Sequence, residues 1–75
     1  MSPVQSMILD FEKKYWHRAG DKEAAIRDTF DMSPMRYYQL LGTLIDEPEA
    51  LAAEPVLVNR LRRLRDSRAR VRRAS

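Results

Sequence analysis

Apolar side chains in this chain recur every three or four positions, and no stretch alternates apolar with polar. That spacing is the signature of helices with one buried stripe, and it argues against strands. Ser2-Pro3-Val4-Gln5 reads as a helix start, with Ser2 as cap, Pro3 in the first position and Gln5 closing a capping box. Val4, Met7, Ile8, Phe11, Tyr15 and Ala19 then fall on one stripe, and Gly20 is expected to end the helix. Leu9 and Trp16 lie about 160° from that stripe and form a candidate outer protein-contact face.

Asp21 is a good cap for a second helix, from Lys22 to about Thr29, with Ala25, Ile26 and Phe30 inward. Ser33-Pro34 opens a third, which buries Tyr37, Leu40, Leu41, Leu44 and Ile45 and fades before Pro48. Residues 48–53 suit a short helical turn. Glu54-Pro55 starts a last helix in which Leu57, Leu61, Leu64 and Val71 continue the apolar spacing, interrupted by Arg68. The expectation is an all-α protein: a small helix-turn-helix bundle of three to four helices, with an arginine-rich C-terminal helix. A helical body spans residues 1–58 and the basic tail residues 59–75.

Two helices joined by about three residues, the second strongly capped, make the helix-turn-helix plan, placed here at about 22–45. Ile26, Phe30, Met32, Tyr37 and Leu40 stand where the two helices must lock. The turn needs a residue that tolerates the left-handed conformation, and Asp31 does so better than most. Arg27 stands where a small residue usually lets the second helix approach, with Ala24 and Ala25 close by. In such a motif the third helix enters the major groove. Its outward residues are Met35, Arg36, Tyr38, Gln39 and Thr43. Arg36 can grip guanine and Gln39 adenine, each through two hydrogen bonds. Ser33, the free N–H groups at the helix start and the Tyr38 hydroxyl can hold phosphate. The plainer reading is a three-helix packing that binds protein.

Charge shifts the balance toward nucleic acid. The chain of 75 residues has a net charge of +3. Residues 59–75 hold Arg60, Arg62, Arg63, Arg65, Arg68, Arg70, Arg72 and Arg73 against Asp66 alone, a charge of +7. The first 58 residues hold six bases and ten acids, a charge of −4. A block of arginines repels itself and seeks a polyanion or an acidic surface, and phosphate contacts supply much of the affinity for DNA. The tail has three readings: a helix laid along phosphates, a segment folded on the acidic body, or a solvated end. A long parallel coiled coil is disfavoured, because past residue 60 arginine would face arginine. A homodimer through residues 55–64, or through Leu9 and Trp16, stays open.

Nothing points to catalysis. There is no cysteine, so disulfides and thiolate metal sites are excluded, and His17 stands alone. Asp46, Glu47, Glu49 and Glu54 lack the spacing of a calcium loop. No nucleophile elbow or phosphate-binding glycine loop is present. The expectation is no enzyme, no cofactor, no metal site and no membrane span, in a cytoplasmic, nucleoid setting. Duplex DNA is the expected partner. RNA polymerase or another host protein, or RNA, are the alternatives.

The motifs Ile8-Leu9-Asp10-Phe11-Glu12, Tyr15-Trp16, Lys22-Glu23-Ala24-Ala25-Ile26-Arg27, Asp31-Met32-Ser33-Pro34-Met35-Arg36-Tyr37-Tyr38-Gln39, Leu44-Ile45-Asp46 and Leu61-Arg62-Arg63-Leu64-Arg65 resemble a family of small actinobacterial or actinophage proteins of unknown function. The likeness covers roughly residues 7–73. Two tryptophans often stand in that family where this chain has Tyr15-Trp16. The resemblance implies a cytoplasmic protein with a helix-turn-helix like that of sigma-factor DNA-binding regions, and it supplies no activity.

Overall fold

The structure is a computed structural model. It describes the backbone at residues 1–14 and 19–74, and the side chains at residues 1–14 and 20–68. Five helices follow one another: α1 (Pro3–Lys13), α2 (Ala19–Phe30), α3 (Pro34–Leu44), α4 (Pro48–Ala53) and α5 (Pro55–Ala74). There is no strand among the described residues. The fold is all-α, with one helix more than the periodicity predicts, because the turn at residues 48–53 is a helix in its own right. Pro48 and Pro55 each occupy a first helical position, where the missing N–H costs nothing, and so they divide the chain into separate helices.

Local chemistry sets most of the boundaries. At α1 the capping box forms: Gln5 N–H donates to Ser2 Oγ at 3.2 Å, and Ser2 N–H donates to Gln5 Oε1 at 2.8 Å. At α3 the Arg36 N–H donates to Ser33 Oγ at 3.2 Å. Between α2 and α3, Asp31 has φ 53°, the left-handed conformation expected of it, and its N–H donates to Arg27 O at 3.0 Å. Arg27 itself is exposed, so its bulk does not intrude between the helices. Two boundaries differ from expectation. Lys14 is extended (φ −71°, ψ 145°), which ends α1 at Lys13, well before Gly20. α2 then begins at Ala19, so Gly20 lies inside a helix, and Asp21 sits in the first turn, where its charge suits the helix dipole without capping it.

The core gathers Ile8, Leu9 and Phe11 of α1, Ile26 of α2, Tyr37, Leu41 and Leu44 of α3, Ile45, Ala50 of α4, and Leu57 and Val58 of α5. Phe30, Met32, Leu40, Leu51 and Leu61 pack against it. Three rings form its centre. Phe11, Phe30 and Tyr37 have centroids 5.3–5.5 Å apart, two of the pairs edge-on, the arrangement aromatic quadrupoles favour.

The buried face of α1 corrects the predicted stripe. Leu9, expected on an outer face, is 2% exposed, whereas Val4 and Met7, expected inside, are about half exposed. The cause is Glu12, which is buried. A stripe defined by apolar residues alone leaves Glu12 out and so centres away from the Leu9 side. With Glu12 included, positions 8, 9, 11 and 12 form one continuous inward arc. Trp16, the other half of the proposed outer face, lies outside the described residues, as do Tyr15 and His17. Leu9 therefore belongs to the core and is no part of an outer contact face.

Candidate functional site

Two surfaces carry the predicted site residues: the outward side of α3 and the side chains of α5. On α3, Met35 is 73% exposed and Tyr38 41% exposed, and Arg36, Gln39 and Thr43 are exposed beside them. They lie opposite Tyr37, Leu41 and Leu44, which hold the helix to the core, so the strip follows directly from the apolar spacing. Some of its polar groups are already engaged. Ser33 Oγ is held by the Arg36 N–H, and Thr43 donates its hydroxyl to Gln39 O at 3.3 Å. Ser33 thus shapes the helix start by accepting this bond, and its hydroxyl, exposed, keeps its own hydrogen to donate. Gly42 lies within this strip, and a Cβ added there meets no atom within 4 Å.

Tyr38 is set by a network that the pattern of the sequence did not disclose. Glu12 accepts a short hydrogen bond from the Tyr37 hydroxyl, and Lys22 Nζ stands 2.9 Å and 3.1 Å from the two Glu12 oxygens. The same ammonium lies 5.4 Å from the centroid of the Tyr38 ring, a cation–π contact. One carboxylate therefore joins α1, α2 and α3. A buried charge is tolerated because it is paired and hydrogen-bonded. Burial, reinforced by the hydrogen bond to Glu12, pushes the Tyr37 phenol well above its ordinary pKa. The available signal was Glu12 itself, one turn after Ile8 and next to Phe11 on the inward arc.

The α5 arginines divide into two groups. Arg62 is half-buried and donates its Nε–H to the Ile45 carbonyl at 2.6 Å. Arg65 Nη1 stands 3.0 Å from both oxygens of Asp46, and its Nε lies 3.4 Å from Asp66. These contacts raise the Arg65 pKa, the Asp46 hydrogen bond most of all. Arg62 and Arg65, expected on phosphates, are turned onto the end of α3: Arg62 onto a C-terminal carbonyl, which lacks a helical partner and carries partial negative charge, and Arg65 onto the Asp46 carboxylate. Arg60, Arg63 and Arg68 are exposed and have no partner among the described residues. Arg70, Arg72 and Arg73 lie on the α5 backbone, but their side chains are outside the described residues.

The acids near the α3–α4–α5 joints also face cations. Asp46 meets Arg65, Glu54 meets Lys13, and Glu49 meets the amino group of Met1. That amine holds the Glu49 carboxyl below the usual carboxylate range. No group of three or more metal-ligating side chains exists among the described residues.

The family model described as "Protein of unknown function (DUF3263)" matches residues 1–73. The chain belongs to this family. The match takes in all five helices nearly to the end of α5, so the α3 strip and the arginines from Arg60 to Arg73 lie within the DUF3263 region. No curated protein and no solved structure matches the chain. No helix among the described residues is long and apolar enough to cross a membrane.

Proposed function

We propose that this protein binds duplex DNA as a transcriptional regulator or nucleoid-associated protein of the cytoplasm. In this reading α2, the turn at residues 31–33 and α3 form a helix-turn-helix like that of sigma-factor DNA-binding regions. α3 rests in the major groove, with Arg36 and Gln39 toward base edges and Met35, Tyr38 and Thr43 beside them. Arg60, Arg63 and Arg68, with Arg70, Arg72 and Arg73 further along α5, supply sequence-independent phosphate contacts. The observation that carries the reading is the outward strip of α3: a capped helix, entered through a left-handed Asp31, that holds Arg36 and Gln39 in solvent in the same chain as a +7 segment.

The test is a titration of random-sequence duplex DNA at several salt concentrations. Log affinity should fall linearly with log salt, by about 0.9 for each phosphate neutralised. Arg36→Ala should reduce discrimination among sites. Replacing Arg68, Arg70, Arg72 and Arg73 together should weaken all sites alike. No retention of duplex even at low salt ends the proposal. A protein partner, RNA polymerase or another host factor, is the second reading, favoured by the exposure of Met35 and of Val56 at 81%. Recovery of a partner after nuclease treatment separates it from nucleic acid.

A further inference from the structure

We infer that Arg62 and Arg65 are positioning residues: a two-point clamp that aims the arginine helix relative to α3, and not part of the phosphate-binding set. The inference rests on the proposal that α3 and α5 share one duplex.

The apolar attachment of α5 ends early. Leu57 and Val58 are buried and Leu61 packs on the core, but Leu64 is 48% exposed, and every described residue from Arg63 to Arg68 is exposed. Beyond Leu61 the described ties of α5 to the rest of the molecule are polar. Arg62 reaches the carbonyl of Ile45, the C-cap of α3, and Arg65 reaches Asp46, the next residue. Two guanidinium groups one turn apart thus close on two consecutive residues at one end of the proposed recognition helix.

Leverage makes these contacts matter. About 20 Å of helix runs from residue 62 to residue 74 at 1.5 Å per residue. A swing of 20° at the base would displace the far end by roughly 7 Å, about twice the axial spacing of successive phosphates on one strand. Arginines that must meet phosphates while α3 sits in a groove need that angle fixed beforehand. Arginine suits the role because its planar group fixes the direction of each N–H, here Nε of Arg62 and Nη1 of Arg65, which the freely rotating ammonium of lysine does not reproduce.

The clamp predicts a sign that simple electrostatics reverses. Removing the Asp46 charge should strengthen binding to a polyanion if Arg65 is merely a cation waiting to be freed. If Asp46 aims α5, the same change weakens binding. Asp46→Asn and the charge-preserving Arg62→Lys are therefore the variants. Affinity for random-sequence duplex is measured against salt at a temperature where each variant is folded. In parallel, spin labels at Thr29→Cys on α2 and Ser67→Cys on α5 report the α2-to-α5 distance in the free protein; the chain has no other cysteine.

The expected result is a broader distance distribution and several-fold weaker binding in both variants, with a shallower salt dependence as distal contacts are lost. An unchanged distribution, or unchanged or tighter binding by Asp46→Asn while the wild type binds duplex, overturns the clamp alone. A wild type that ignores duplex overturns the parent reading, and this one with it.

Discussion

At the junction of α1, α2 and α3, Glu12 is 6% exposed, and its carboxylate meets the Tyr37 hydroxyl and the Lys22 ammonium. Along α5 past Leu61, Arg63, Arg65 and Arg68 are exposed, and among the described arginines there only Arg62 and Arg65 reach back to the body. The first region keeps a single charge and surrounds it with donors and rings. The second keeps many charges, and of its described arginines Arg63 and Arg68 have no partner among the described residues. Desolvation explains both: a buried ion without partners is expensive, whereas an exposed one costs little and stays available to an outside polyanion. Substitutions in the first region should therefore be read in stability, and those in the second in binding.

The largest effect is expected at the core. Ile26→Ala, at a side chain with no exposure, should destabilise by about 2–5 kcal/mol in denaturant melts, a large share of the stability of so small a domain. A loss below about 1 kcal/mol would show that the α2–α3 contact is looser than drawn. Tyr37→Phe removes one donor from buried Glu12 and should cost about 1–3 kcal/mol with the ring packing kept. Ser33→Ala should cost about 1 kcal/mol through the lost α3 cap.

The pH response sharpens the same contrast. The folded-state pKa of Tyr37 is raised above its unfolded value of about 10, so the unfolded chain releases the proton first. Its stabilising contribution is full below pH 10 and is lost as the pH rises through and beyond that value. Thermal midpoints should fall more steeply from pH 9 to 11 in the wild type than in Tyr37→Phe, and parallel curves would contradict the buried phenol.

Smallest in stability, and most informative for function, are the surface changes. Gly42→Ala should stabilise α3 by about 0.5–1 kcal/mol, because a helical glycine carries an entropic cost and the added methyl has room. If the α3 strip lies against DNA, the same methyl should weaken duplex binding, an outcome opposite in sign to its effect on the melt. Arg63→Ala with Arg68→Ala should alter stability by less than about 0.5 kcal/mol. The same pair should lower the salt slope by up to about 1.8.

Much of this molecule was legible in its letters. Ser2, Gln5, Ser33, Pro34 and Pro55 fixed three helix starts through caps and proline geometry, which depend only on neighbours in the chain. Asp31 marked the left-handed turn for the same local reason. Spacing placed Ile26, Tyr37, Leu41 and Leu44 inside, and hence Met35, Arg36, Gln39 and Thr43 outside.

Tertiary structure decided the rest. Glu12 lies inward because Tyr37, twenty-five positions away, and Lys22 supply its partners, and with Glu12 inside, Leu9 turns inward too. Arg62 and Arg65 leave the ranks of free cations because α5 passes the end of α3, where Ile45 O and Asp46 wait. A pattern read along the chain reports which side chains prefer water. Whether a charged one forsakes it depends on a partner delivered from elsewhere in the fold, and no spacing within a single helix encodes that meeting.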